Sequence, residues 1–120
     1  MSQEEHGKKN YRYQKDAPLT ETDAKHGYYK MMDETTGCGS RVWSAIGYNR
    51  DTEYHFGDVH DDMEVFLVLE GSGWATIGQE EFRIEKDACF VAPAGVRHGT
   101  RCESEDEPLL LYWFHAPQLD

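Results

Sequence analysis

The sequence predicts a single all-β domain, a barrel or sandwich, and three observations predict it. Short apolar runs recur at close spacing between turn signals from Tyr28 onward. No segment carries a convincing helical period. Glycines fall where hairpins need a positive φ, as at Gly71, Gly73 and Gly78.

The expected elements follow in order. Residues 1–27 are polar, with breaks at Ala17-Pro18 and His26-Gly27, and read as an arm. Residues 16–27, with acidic early positions, carry a weak helix signal. Residues 28–120 read as the barrel domain, with a first strand over 28–32 and a turn at 37–40. A strand over 41–48 would set Val42, Ile46 and Tyr48 on one face. Strands over 64–70, 74–77, 80–85 and 88–92 come next, then the turn Pro93-Ala94-Gly95 and a strand starting near His98. The last strand covers 109–115 and ends at Ala116-Pro117. Residues 64–70 are apolar on both faces, so each face needs cover. A second layer, the arm or a partner subunit would supply it, and a homodimer is expected.

Composition excludes several roles. A net charge of −11, from 23 acidic against 12 basic residues, repels phosphate backbones and argues against nucleic-acid binding. There is no basic patch for anionic lipid. The longest apolar stretch, residues 109–114, is too short to span a bilayer. Residues 1–10 lack an apolar run of signal-peptide type. Three widely spaced cysteines, Cys38, Cys89 and Cys102, form no C-x-x-C pair and fit free thiols in a reducing cytoplasm.

Two segments carry the chemistry: Asp58 to Gly71, and Asp87 to His98. They offer two imidazoles, His60 and His98, and one carboxylate, Glu64. Two histidines and a carboxylate suit Fe(II) and related divalent ions. Asp58, His60 and Glu64 share parity and would point inward if the chain there is extended with only a local bend near Asp61-Asp62. Each has an ordinary reading beside this one. A buried histidine is commonly a hydrogen-bonded core residue, Glu64 could end a strand in solvent, and His98 could sit in a surface turn. The joint spacing favours a metal site. Among weaker candidates, His55 has the wrong parity without a bulge, and His115 reads more readily as a surface residue than as a lining of the mouth. Tyr48, Phe66, Cys102, Tyr112 and Phe114 are the expected pocket residues. Arg41, Arg97 and Arg101 are candidate anchors for an acidic substrate.

H60-x-x-x-E64-x(6)-G71 and P93-A-G95-V-R-H98 resemble the two motifs of the cupin superfamily, of the small single-domain cupin 2 type. The resemblance covers about residues 41–116. It implies a double-stranded β-helix, or jelly-roll barrel. It also implies one divalent transition metal (Fe, Mn, Ni, Cu or Zn), held by His60, Glu64 and His98 as the matching positions. The chain departs from the motifs at four places: Asp58 stands where the first histidine would be, Thr52 and Asp87 replace the leading glycines, and Cys102 replaces the final asparagine. Asp58 would serve as a fourth ligand or as an outer carboxylate that orients an imidazole. Two functions follow. One is a metal-dependent enzyme acting on a small polar chelating metabolite. The other is a non-catalytic binding or sensor module whose metal is structural or captures a ligand.

Overall fold

Side chains that alternate across a strand let one face close a core while the other meets solvent. β4 (Met63–Glu70) shows the rule: Glu64, Phe66 and Val68 are buried, while Leu67 between them is exposed. The computed structural model describes residues 9–120. Among the described residues, nine strands form two antiparallel sheets, as the all-β expectation requires.

The larger sheet has the order β1-β2-β3-β9-β4-β7. Its other members are β1 (Leu19–Glu21), β2 (His26–Met32), β3 (Trp43–Asn49), β7 (Cys89–Ala92) and β9 (Leu109–Ala116). The smaller sheet has the order β6-β5-β8, from β5 (Ser72–Ile77), β6 (Glu80–Glu85) and β8 (His98–Cys102). β9 inserts between β3 and β4, so the last strand is central rather than at an edge. Phe66, Val68, Ala75, Ile84, Ala92, Cys102, Leu109 and Leu111 form the core.

The region before residue 28 differs from expectation. No helix forms over 16–27: a 3-10 turn at Gln14–Asp16 is followed by the edge strand β1, paired with β2. Acidic residues alone do not make a helix when no apolar stripe docks it. β2 begins at His26, two residues before the expected first strand. Residues 1–8 of the expected arm lie outside the described residues. Among the described residues, no helix is long and apolar enough to cross a membrane.

Two glycines shape what surrounds the centre. A Cβ on Gly47 would stand 2.0 Å from the Trp113 ring, so only glycine lets that indole lie against β3. Gly95 has φ 77 in the turn closed by the Val96 N–H to the Pro93 carbonyl at 3.1 Å. A positive φ at the third position of a turn favours glycine.

Candidate metal centre

Four side chains converge at one end of the barrel. Glu64 enters on β4, with its Cα in register with His115 of β9 on one side and Ala92 of β7 on the other. His98 opens β8 just after the Pro93–Val96 turn. His60 lies in the loop before β4. The Gly95 N–H donates to the His60 carbonyl at 2.8 Å, so one hydrogen bond ties this loop to the turn that positions His98.

The three imidazoles are held alike. His60 Nδ1 lies 2.6 Å from the Asp62 carboxylate and 3.1 Å from the Asp62 carbonyl. His98 Nδ1 lies 3.1 Å from the Val96 carbonyl. His115 Nδ1 lies 3.2 Å from an Asp62 carboxylate oxygen. Carbonyls and carboxylates carry no proton, so each Nδ1–H is the donor. The three Nε2 atoms then face Glu64: His98 at 3.1 Å, His60 at 3.3 Å and His115 at 3.4 Å. Ligand atoms of His60, Glu64 and His115 all lie within 4.8 Å of one another. Trp43 stacks on the outer face of His115, with ring centroids 4.5 Å apart and an interplanar angle of 6°.

The electrostatics agree with this geometry. Burial pushes the Glu64 carboxyl upward, but hydrogen bonds from His115 and His98, and then their charges, hold it at about 2. The hydrogen bond to Glu64 raises His98 against the opposing effect of burial. Burial lowers His115, and contact with Glu64 and Asp62 outweighs it, so it too is raised. A buried carboxylate without partners would cost several kcal/mol. Here it faces three nitrogens whose lone pairs need either a proton or a cation. The arrangement is therefore a candidate metal-binding group with one carboxylate and up to three imidazoles.

Beside this cluster lies a cavity of about 290 Å³. Glu64 and His98 line one end; Phe66, Trp113, Tyr28 and Leu111 form walls; Asn49, Thr100, His26 and His55 line the rest. The Asn49 amide is held by the Thr100 carbonyl and hydroxyl, both at 3.1 Å. Among the described residues, no lysine or arginine lines the cavity.

The structure brings His60, Glu64 and His98 together. It does not bring Asp58 to them: that residue is exposed and, among the described residues, has no hydrogen-bond or ion-pair partner. Residues 50–62 lie outside the strands, so no strand pairing holds an alternation of faces between Asp58 and His60. Of the expected pocket residues, Phe66 and Tyr48 line the cavity. Cys102 is buried in the core instead. Tyr112 and Phe114 alternate with Leu111 and Trp113 and so face the outside of the sheet. Among the arginines, Arg97 packs on Phe56 and Arg101 on Trp74, outside the cavity lining. His55 is exposed at the cavity rim and pairs with Asp51 at 2.9 Å. Asp51, Glu53 and His55 form a second group of ligand-type atoms. Its Asp51 carboxylate is already engaged by the Glu53 N–H, also at 2.9 Å.

His115 and Asp62 are the residues the sequence reading undervalued. Leu109, Leu111, Trp113 and His115 share parity, which would have placed His115 inward had either face of 109–115 been plainly polar. Nothing in the sequence distinguishes Asp62 from Asp61.

Comparison with known proteins follows the same lines. Acireductone dioxygenase of Drosophila melanogaster is 31% identical over 91 residues, covering 72% of this chain and 47% of that protein. The chain spans about half the length of the curated relatives it matches. An RmlC-like cupin from Shewanella frigidimarina superposes with a TM-score of 0.74 at 14% identity, covering 92% of each chain. A structure of FeII HppE superposes with a TM-score of 0.76, again at 14% identity, over 88% of this chain and 59% of that one. A family model described as the cupin domain matches residues 51–115, a span that contains the Glu64 and His98 segments and ends on His115. With more than half its length inside that match, the chain belongs to the cupin domain family.

Proposed function

We propose that this cupin is a metal-dependent enzyme that holds one divalent transition metal ion through His60, Glu64, His98 and His115. Its substrate would be a small polar metabolite able to chelate. The observation that carries the reading is the shared orientation of the three imidazoles: every Nδ1 faces an oxygen acceptor and every Nε2 faces Glu64. Asp58, exposed on the loop, would not join the set; His115 takes the fourth place.

When bound, the ion would supply Lewis acidity to a chelating oxygen of the substrate. The chain's own residues do the rest. Phe66, Trp113 and Tyr28 exclude bulk water, and Asn49, Thr100 and His26 offer polar contacts to hydroxyl and carbonyl groups. A lining without lysine or arginine favours a substrate of low charge, such as a sugar or a hydroxy or keto acid, over a dianion. The names of the similar proteins, a dioxygenase and an FeII protein, favour iron and an oxygenase reaction.

A second reading is a binding or sensor module with a structural or ligand-capturing metal, since a fold does not fix a function. Chelation separates the two: an enzyme loses turnover while its fold persists, and a structural site loses stability. Exposed Leu67 and Val91, on neighbouring strands of the outer sheet face, support a homodimer. Free Cys38, Cys89 and Cys102 support a reducing cytoplasmic setting.

A further inference from the structure

We propose that Asp62 is the positioning residue of this centre: one carboxylate that holds two imidazoles, His60 and His115, in the tautomer and orientation that aim both Nε2 atoms at Glu64. Its consequence for affinity rests on the metal reading above; its geometry does not. Asp62 immediately precedes β4, whose first residue Met63 pairs with Ala116 at the end of β9. That register sets its side chain beside His115, while His60 folds back from two residues earlier. Asp62 Oδ1 lies 2.6 Å from His60 Nδ1 and 3.3 Å from His115 Nδ1, and Oδ2 lies 3.2 Å from His115 Nδ1. A carboxylate offers about four lone-pair sites, enough for both rings.

The two rings need this help for different reasons. His60 sits on a loop with no strand to fix it. His115 is fixed in its plane by Trp43, but stacking does not choose which nitrogen carries the proton. A carboxylate on Nδ1 makes that choice for both, and it makes the opposite nitrogen a better electron donor. His98 Nδ1 has the Val96 carbonyl alone, at 3.1 Å, whereas His60 Nδ1 has the Asp62 carboxylate as well as the Asp62 carbonyl, and His115 Nδ1 has the Asp62 carboxylate. Asp61, the preceding residue and of the same charge, is exposed and has no hydrogen-bond or ion-pair partner among the described residues, so it serves as a control.

The test has two readouts on the full chain. The first is ring-nitrogen NMR of the metal-free protein at alkaline pH, where the imidazoles are neutral. His60 and His115 should carry the proton on Nδ1 in the wild type. Asp62→Ala should shift His115 toward Nε2–H, shift His60 less because the residue-62 carbonyl remains on its Nδ1, and leave His98 unchanged. The second is Co(II) affinity by titration. Asp62→Ala should weaken it roughly 10- to 100-fold. Asp62→Asn, which keeps one acceptor oxygen and the side-chain shape, should fall between, and Asp61→Asn should match the wild type. The proposal is overturned if Asp62→Ala leaves the tautomers unchanged, or if Asp61→Asn loses as much affinity as Asp62→Ala. Wild-type protein that takes up no Co(II) would end the metal reading alone, because the tautomer result still decides the role of Asp62.

Discussion

Glu64 is the residue on which the centre turns, because its carboxylate is buried and meets three imidazole nitrogens within 3.4 Å. Its depressed pKa and the raised pKa values of His98 and His115 describe the same contacts from opposite ends. The signs give a pH window for the metal-free protein. Glu64 contributes stability in full above its ordinary value of 4.5, and that contribution is lost as pH falls toward about 2. His98 and His115 contribute in full below their ordinary value of 6.5 and lose it as pH rises through their raised values. Urea unfolding of metal-free protein should therefore show these contacts at full strength between about pH 4.5 and 6.5. Glu64→Gln should flatten the profile on both sides. A variant profile parallel to the wild type would deny the coupling. Metal-loaded protein should hold its stability to higher pH, since metal binding needs neutral imidazoles.

At the scale of elements, turns set the register of the centre. Asp87, which stands where the cupin motif has a leading glycine, adopts φ 76 in the turn before β7. Aspartate tolerates that conformation better than most residues do. Asp87→Gly is expected to leave stability unchanged or raise it by up to about 1 kcal/mol. Gly47→Ala should lower stability by about 1–3 kcal/mol, because the added methyl meets the Trp113 ring. Urea midpoints check both, and a Gly47→Ala variant as stable as the wild type would deny the close approach. These strands were legible in the sequence because runs of about four to eight residues bounded by turn residues are too short for a typical helix. The strands β3 to β9 fall within two residues of their expected bounds. The centre was only partly legible. Glu64 and His98 sit at strand starts, where spacing carries information. The parity of Asp58 holds only if the segment before β4 is extended, and residues 50–62 lie outside the strands, where no pairing fixes which way a side chain faces. His115 was obscured because β9 is central and apolar on both faces. Asp62 acts through a turn geometry that no spacing rule encodes.

On the scale of the whole molecule, a chain with net charge −11 exposes apolar side chains on the outer face of its larger sheet. Leu67 on β4 and Val91 on edge strand β7 are 37% and 45% exposed. Apolar contact is not screened by salt, whereas repulsion between acidic surfaces is. Sedimentation velocity should therefore give a dimer at micromolar concentration that persists in high salt. Leu67→Glu with Val91→Glu should give a folded monomer. A wild-type monomer in both low and high salt would contradict this assembly and leave the proposed metal centre untouched, since its four side chains all come from one chain.

The metal content of the protein, measured by elemental analysis after loading with Fe(II), Mn(II), Ni(II), Cu(II) or Zn(II) and desalting, tests the central claim most directly. One ion per chain is expected for wild type and for Asp58→Ala. His115→Ala should lose affinity by more than the roughly 10- to 100-fold typical of an outer partner, and His60→Ala or His98→Ala should abolish stoichiometric uptake. Wild-type protein that stays metal-free with all five ions, or a His115→Ala variant that binds as tightly as the wild type while Asp58→Ala does not, would contradict it.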